Sequence, residues 1–355
     1  MENVYTYLAK YCDKTFKEES FSDEDSIVLG SLSYLLFEKV LAPKEKKALT
    51  ELESSLKTLS EGAILGEEDA KLLNACILSE RFKDLTVENV VSNINTTTAT
   101  QFNAMVFRLN ETNLAVVFRG TDASLNGWKE DFKIALQNKI VSQTKALDYL
   151  KKVIKENKDS TIYVVGHSKG GNLAVYALLS IENEYLPHIK RVFDLDGPGF
   201  KTNLFKDQNY LDRHDKLLKI IPYDDVIGQV LNINPRYKVV KATLGGIIQH
   251  SPYTWGFKKG KLHYITRKSL ASRQFRKAID SFLKKTPETD LALFVKQAFS
   301  IIEDAGVNQF SDISHNTFKK LEAIVDGYEH LSIRAKNVTK AFLRAILRIY
   351  IQSFI

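Results

Sequence analysis

The chain of 355 residues is 44% hydrophobic and 26% charged, enough for one large core with an appendage or for two modest domains. Two cysteines, Cys12 and Cys76, exclude a disulfide scaffold, and neither belongs to a C-x-x-C or Cys/His cluster that would hold structural zinc. The net charge of +7 fits attraction to nucleic acid, a peripheral contact with anionic membrane, or simply a lysine-rich cytosolic surface; with no RRM, KH, zinc-finger or helix-turn-helix pattern beside it, nucleic acid is set aside.

The N-terminus, MENVYTYLAKYCDK, lacks a basic start followed by an apolar run, and no stretch reaches transmembrane length without a charge. The expectation is a soluble, cytoplasmic protein without a Sec leader, with leaderless export left open. Residues from Met1 to about Leu85 read as helical. Ser22-Asp23-Glu24-Asp25 is a capped helix start, acidic in its first turn, and Ile27, Leu29, Leu32, Leu35 and Leu36 continue a helical stripe. Lys44 to Leu59 and Ala70 to Phe82 read as two further helices. After Asn93 the pattern changes. Asn95–Ala99 is a loop, and Asn103–Leu109 and Leu114–Phe118 are β-rich runs joined by a hairpin turn at Asn110–Asn113.

Gln143 to Glu156 has helical spacing. Thr161–Tyr176, TIYVVGHSKGGNLAVY, then reads as a strand, a tight turn carrying Ser168, and a helix. This is the G-x-S-x-G nucleophile elbow: the turn lifts the serine hydroxyl clear of the sheet, and the flanking glycines avoid Cβ collisions with neighbouring backbone. The helix N-terminus behind it offers N–H groups where an oxyanion would form. Further strands are expected at Arg191–Leu195, Leu217–Ile221, Tyr237–Thr243 and Lys261–Thr266. Strands alternating with helices predict an α/β fold with a mainly parallel sheet covered on both faces. From Ser269 onward only helical runs appear. The last, Ala335–Ile355, interleaves apolar and cationic residues and reads either as part of a small bundle or as an interfacial lipid-binding helix. The expected division is an N-terminal helical region (1–95) packing on the core, an α/β core (96–268) and a C-terminal helical region (269–355).

A serine nucleophile needs a base to take its proton and a carboxylate to orient that base. The carboxylates after the elbow are Asp194, Asp196, Asp224 and Asp225. Asp194 and Asp196 lie on or beside the strand just after the elbow helix, early for the acid. The strand Leu217–Pro222 runs straight into Asp224-Asp225, so Asp225 is the expected acid and Asp224 the reserve. Of the histidines after it, His315 and His330 belong to the helical tail and His263 lies inside a strand pattern. His250 follows a strand-like Gly246–Gln249 and precedes a loop, the setting a general base requires. His167, inside the elbow, is too constrained to reach its neighbour's hydroxyl and is expected to pack or hydrogen-bond. Lys169, directly after the nucleophile, would give one oxyanion N–H. The loop Arg119-Gly120-Thr121-Asp122, followed by Trp128-Lys129-Glu130-Asp131 on a helix, would give the other.

FRGTD, the W-x-x-D after it, the GHSKGG elbow, G-P-G after the next strand, D-V-I and a late histidine together resemble the class 3 (fungal-type) lipase branch of the α/β-hydrolases. Nearer still is the resemblance to a bacterial family of lipase-like α/β-hydrolases with GHSKGGNLA elbows. It covers roughly Phe102 to Thr266 and implies Ser168 as nucleophile, Asp225 as acid and His250 as base. It also implies Thr121 and Lys169 as oxyanion donors, the Thr121 hydroxyl as a third donor, and Arg119 and Asp131 as structural supports of the oxyanion loop. Two departures stand out. Lys169 occupies a position that is apolar in class 3 lipases, so its charge either points into solvent or meets an anionic acyl donor such as a phospholipid headgroup. Ala123–Asn126 is short and polar where those lipases carry a lid.

The expectation is a lipase-like serine carboxylester hydrolase acting on an acyl-ester or lipid substrate, with phospholipase or lysophospholipase activity as a refinement. No metal or organic cofactor is implied. The rivals are a thioesterase or peptidase on the same scaffold, and a binding or targeting protein whose helical tail is the working part.

Overall fold

The computed structural model describes residues 1–60, 66–95, 97, 100–122, 125–304 and 327–352. In chain order the elements are α1 (Val4–Tyr11), α2 (Asp23–Leu32), α3 (Phe37–Val40), β1 (Lys46–Ala48), α4 (Leu49–Ser60), α5 (Gly66–Ile77), β2 (Thr86–Asn95), β3 (Thr100–Arg108), β4 (Asn113–Phe118), α6 (Leu125–Leu136), α7 (Val141–Glu156), β5 (Thr161–His167), α8 (Lys169–Ser180), β6 (Ile189–Leu195), α9 (Gln208–Leu211), β7 (Leu217–Pro222), β8 (Tyr237–Val240), β9 (Phe257–Lys258), β10 (Lys261–Leu262), β11 (Tyr264–Ile265), α10 (Leu270–Lys285), α11 (Glu288–Asp304) and α12 (Ile333–Gln352).

Nine strands form one sheet in the order β1-β2-β3-β4-β5-β6-β7-β8-β11. From β4 to β8 neighbours are parallel. The edges β1–β3 and β11 are antiparallel. A parallel centre must be covered on both faces, and its strands are accordingly continuous apolar runs. Alternation along β5 divides them. Tyr163 and Val165 face a core shared with α1, α2, α4 and α5, whereas Ile162 and Val164 face a second core closed by α7 and α8. This is the α/β-hydrolase architecture, with helices on both faces of a mainly parallel sheet.

The N-terminal helices are bound in by a buried polar centre as well as by apolar packing. Ser22 caps α2 in a reciprocal box with Asp25. Asp25 also accepts from Tyr7 Oη at 2.8 Å and forms a 2.6 Å ion pair with Arg81, both partners almost wholly buried. Arg81 further donates to the carbonyls of Lys14, Glu19 and Ser20, so none of this buried charge is left unpaired.

Several local expectations are corrected. Lys46–Ala48 is a short edge strand where a continuous helix was expected, and β2 begins at Thr86, inside or beside a stretch read as helical or loop. Lys261–Thr266 is two short strands with different partners: β10 pairs with β9, and β11 joins the large sheet. Gly246–His250 is a 3-10 helix, not strand-like. For the strands, tertiary pairing overrides a weak local propensity. The expected loop at Asn95–Ala99 lies partly, and His315 wholly, outside the described residues. Among the described residues no helix is long and apolar enough to cross a membrane.

Helices α10, α11 and α12 pack on one another through Phe282, Leu291 and Val338, and against Leu136 of α6. Phe132 of α6 meets Phe299 of α11 edge-on, with ring centroids 5.5 Å apart.

Candidate active site

The strand–turn–helix of the elbow is present. β5 ends at His167, Ser168 takes a left-handed backbone (φ 57°), and α8 starts at Lys169. A non-glycine residue with positive φ is strained, and here the surroundings over-determine it. A Cβ on Gly166 would stand 2.0 Å from the Gly170 carbonyl oxygen, and one on Gly170 would stand 2.0 Å from that of Phe118. Only glycine lets β5, β4 and α8 approach this closely. Ser168 N–H donates to Leu195 O at 2.9 Å, tying the turn to the end of β6. The Lys169 N–H, in the first turn of α8, has no intrahelical acceptor, and Lys169 and Ser168 both line the large cavity beside the elbow.

His250 lines the same cavity. Its Nδ1 lies 2.6 Å from Asp196 Oδ2, and Asp196 is fully buried at the end of β6 with its own positive φ of 55°. The neutral ring therefore donates its Nδ1–H to Asp196, which leaves Nε2 free of its proton, the tautomer a base needs. Burial pushes His250 down to about 4, opposed by the charges of Asp225 and Asp131, so the ring waits uncharged. Among the described residues no hydrogen bond joins Ser168 Oγ to His250; such contacts commonly tighten only with substrate bound.

Asp225, the acid expected from the sequence, does not touch His250. It sits behind Asp196. Its Oδ1 accepts from Gly228 N–H at 2.8 Å, and its carbonyl accepts from Ser272 Oγ. Asp196 Oδ1 and Asp225 Oδ2 are both buried with no hydrogen-bond donor from the rest of the described residues, and the two carboxyl groups lie against each other. Two buried carboxylates in contact cannot both ionise. Burial and the neighbouring Asp196 raise Asp225 well above its ordinary value, and burial brings Asp196 up only to about 7, eased by Asp225 and by the Lys219 ammonium. Both carboxyls are thus pushed toward their neutral form, and of the two it is Asp196 whose Oδ2 faces His250.

The other expected carboxylates have structural partners. Asp194 pairs with Lys219 at 2.8 Å and accepts from Gly197 N–H. Asp224 accepts from Ser269 Oγ and from Gly246 N–H, and Gln249 Oε1 in turn accepts from Asp224 N–H, which fixes the segment carrying His250. Asp224 thus braces the loop that carries His250. Trp255 Nε1–H donates to Gln249 O at 2.9 Å and holds the same loop from below.

His167 is a hydrogen-bonding residue, as its position suggested. Its Nε2–H donates to the His250 carbonyl at 2.8 Å and its Nδ1 accepts from Tyr34 Oη at 2.7 Å. Burial first, and then His250, hold its imidazole well below the ordinary range, so it stays neutral. Tyr34 comes from the N-terminal region, and nothing in the sequence around it marks it as part of the site. A Cβ on Gly120 would fall 2.2 Å from Tyr34 Oη and 2.7 Å from the His167 carbonyl oxygen, so the loop after β4 requires glycine here.

Lys169 neither points into solvent nor offers its charge to a substrate. Its side chain is almost wholly buried and its Nζ lies 3.0 Å from Glu130 Oε2. Glu130 also accepts from Gln101 N–H at 2.8 Å and from Ser142 Oγ. A signal for this pairing was present, since Glu130 is the one acid on α6 beside the expected Asp131. Thr121 lines the cavity, but its hydroxyl donates to both oxygens of Asp131, at 2.8 and 2.7 Å, and is not free to serve as a third oxyanion donor. Arg119 forks onto Glu38 at 2.8 Å and donates to the carbonyls of Ser33 and Leu35, locking the segment after α2 against the oxyanion loop. Ala123 and Ser124, where a lid was looked for, lie outside the described residues.

The family described as Mbeg1-like matches residues 76–300, more than half of the chain. No curated protein sequence matches. Among solved structures, the chain is similar to an MDLA variant from Penicillium cyclopium, with 14% identity, a TM-score of 0.42, and 69% of this chain and 87% of that one covered. It is also similar to the Rhizomucor miehei lipase propeptide complex, with 15% identity, a TM-score of 0.39 and coverage of 64% and 71%. Lip2 lipase from Yarrowia lipolytica matches with 14% identity, a TM-score of 0.35 and coverage of 62% and 99%.

Proposed function

The chain belongs to the Mbeg1-like family, and we propose that it is a serine carboxylester hydrolase, lipase-like in its chemistry, acting through Ser168, His250 and Asp196. The observation that carries this reading is the 2.6 Å contact of His250 Nδ1 with buried Asp196, in a cavity that also takes in the strained Ser168 elbow. Asp196 replaces Asp225 as the acid because it is the carboxylate in contact with the ring.

In this mechanism Ser168 Oγ attacks the ester carbonyl while His250 Nε2 takes the hydroxyl proton. The Nδ1–H stays on the ring, and Asp196 stabilises the imidazolium without itself being protonated. The backbone N–H groups of Lys169 and Thr121 receive the oxyanion; a donor of this kind is worth about a hundredfold to a thousandfold in kcat. Collapse expels the alcohol, which takes the proton from Nε2. Water then attacks the acyl-enzyme with His250 again as base, and the acid product leaves with Ser168 restored.

The test is labelling by a fluorophosphonate probe together with hydrolysis of p-nitrophenyl butanoate. The wild type should label at Ser168 and turn over, and Ser168→Ala and His250→Ala should each abolish turnover almost completely. Folded wild-type protein that neither labels nor hydrolyses any ester would leave the binding or targeting reading in its place.

A further inference from the structure

The cavity at the elbow measures about 920 Å³, at the upper end for small-molecule sites. Its two ends differ in chemistry. Around the oxyanion loop it is lined by Tyr34, Glu38, Asp69 and Arg119, contributed by the N-terminal region and the end of β4. Another stretch of the lining is apolar and comes from beyond the α/β core: Ile279 and Leu283 of α10, Phe294 of α11 and Phe342 of α12, together with Val230 of the Asp225 loop.

We infer that α10, α11 and α12 form the acyl-binding chamber of the enzyme, taking the single long hydrocarbon chain of the scissile ester and setting its length, while the alcohol portion lies toward Tyr34 and Asp69. The inference rests on Ser168 being the nucleophile. The occupant follows from continuity: the apolar wall lines the same cavity as Ser168 and His250, so a hydrocarbon joined to the carbonyl under attack is what it can hold. No titratable side chain among these wall residues would oppose a hydrocarbon there.

The chamber is joined to the catalytic machinery at its base. Ser269 N–H donates to Tyr223 O at 2.9 Å, Ser272 Oγ donates to the Asp225 carbonyl at 2.7 Å, and Gln229 Nε2 donates to Ser272 O at 2.9 Å. The first turn of α10 is therefore built into the loop that supports Asp196. Elsewhere Phe132 of α6 meets Phe299 of α11 edge-on at 5.5 Å and Lys201 pairs with Glu288 at 2.6 Å, so the wall is held to the core at more than one place. A fixed apolar wall acts as a ruler: each methylene that finds room strengthens binding roughly fourfold, and one that does not gains nothing.

The experiment measures kcat/KM of the full chain on p-nitrophenyl esters from acetate through butanoate, octanoate and dodecanoate to hexadecanoate. The wild type should climb steeply with chain length and then level off. Ile279→Trp and, separately, Leu283→Trp fill the chamber and should lower long-chain kcat/KM by about tenfold or more, leaving acetate within about twofold. Two variants on different turns keep the test decisive if one misfolds, and a Tm measurement identifies that case. A flat wild-type profile, or acetate and long chains falling together in both folded variants, overturns the chamber. Either result is distinct from failure of the hydrolase reading, in which Ser168 does not label and no ester is cleaved.

Discussion

Asp196 Oδ2 and His250 Nδ1 stand 2.6 Å apart across the carboxyl ends of β5 and β6, with Asp225 one carboxyl further back. The arrangement separates two acids that look interchangeable in the chain. One meets the imidazole directly, and the other, pushed well above its ordinary value by burial and by its neighbour, stands behind it.

Asparagine substitutions distinguish these roles. Asp196→Asn puts an amide where the ring needs an acceptor, and kcat should fall by about a thousandfold to ten-thousandfold. Asp225→Asn keeps an N–H donor toward Asp196 Oδ1, so kcat should stay within about tenfold of wild type, whereas Asp225→Ala loses that donor and should be the worse of the pair. An Asp225→Asn enzyme as dead as Asp196→Asn would return the acid role to Asp225.

The strain at Ser168 is stored in the fold. Ser168→Gly relieves a positive φ that a side chain must otherwise endure and should raise stability by about 1 kcal/mol while abolishing turnover. Ser168→Ala removes the hydroxyl but keeps the strain, and its urea midpoint should stay close to that of wild type. Equal midpoints for the glycine and alanine variants would mean that the turn is not strained.

Lys169 and Glu130 form a buried pair whose separate removal leaves a charge stranded. Lys169→Met should destabilise the protein by about 3–5 kcal/mol, and Lys169→Met with Glu130→Gln should recover a large part of that loss. Non-additivity of this kind in urea unfolding is the readout. If the single and double variants lose the same amount, the pair does not contribute as an ion pair.

Asp69 is buried beneath Tyr253, whose Oη donates to it at 2.8 Å, and burial raises its carboxyl to about 6 from an ordinary 3.8. An acid whose folded value lies above its unfolded value binds its proton more tightly in the native state. Its cost to the fold therefore fades below pH 4, grows as pH rises from 4 to 6, and is fully present above that. Asp69→Asn, which keeps an acceptor for Tyr253, should add about 3 kcal/mol at pH 8 and nothing at pH 4. A gain that does not change with pH would show that Asp69 is not the titrating group.

Much of the design is legible along the chain because it is local. The elbow needs a strand, two glycines and a helix at fixed spacing, so Ser168 and the Lys169 N–H could be named from contiguous residues. His250 could be found by elimination among few histidines, and the capping box at Ser22 and Asp25 follows from short-range chemistry. The alternation of strands and helices was sufficient for a covered parallel sheet.

What the chain does not display is which distant groups meet. Asp196 and Asp225 each follow a strand that ends on the same side of the sheet. Only the tertiary packing of β6 beside β5, and the positive φ at Asp196, decide which carboxylate reaches the imidazole. Tyr34 enters the site from the turn after α2, with no motif to announce it. The Lys169 charge, exposed in any reading of the elbow alone, is buried because Glu130 arrives on α6 to pair with it. The last helix reads from sequence as the end of a small bundle sooner than as a membrane-seeking tail, and only the structure shows Phe342 lining the cavity. The residues with a local geometric requirement were fixed by sequence; their partners depended on where the sheet brings its strand ends together.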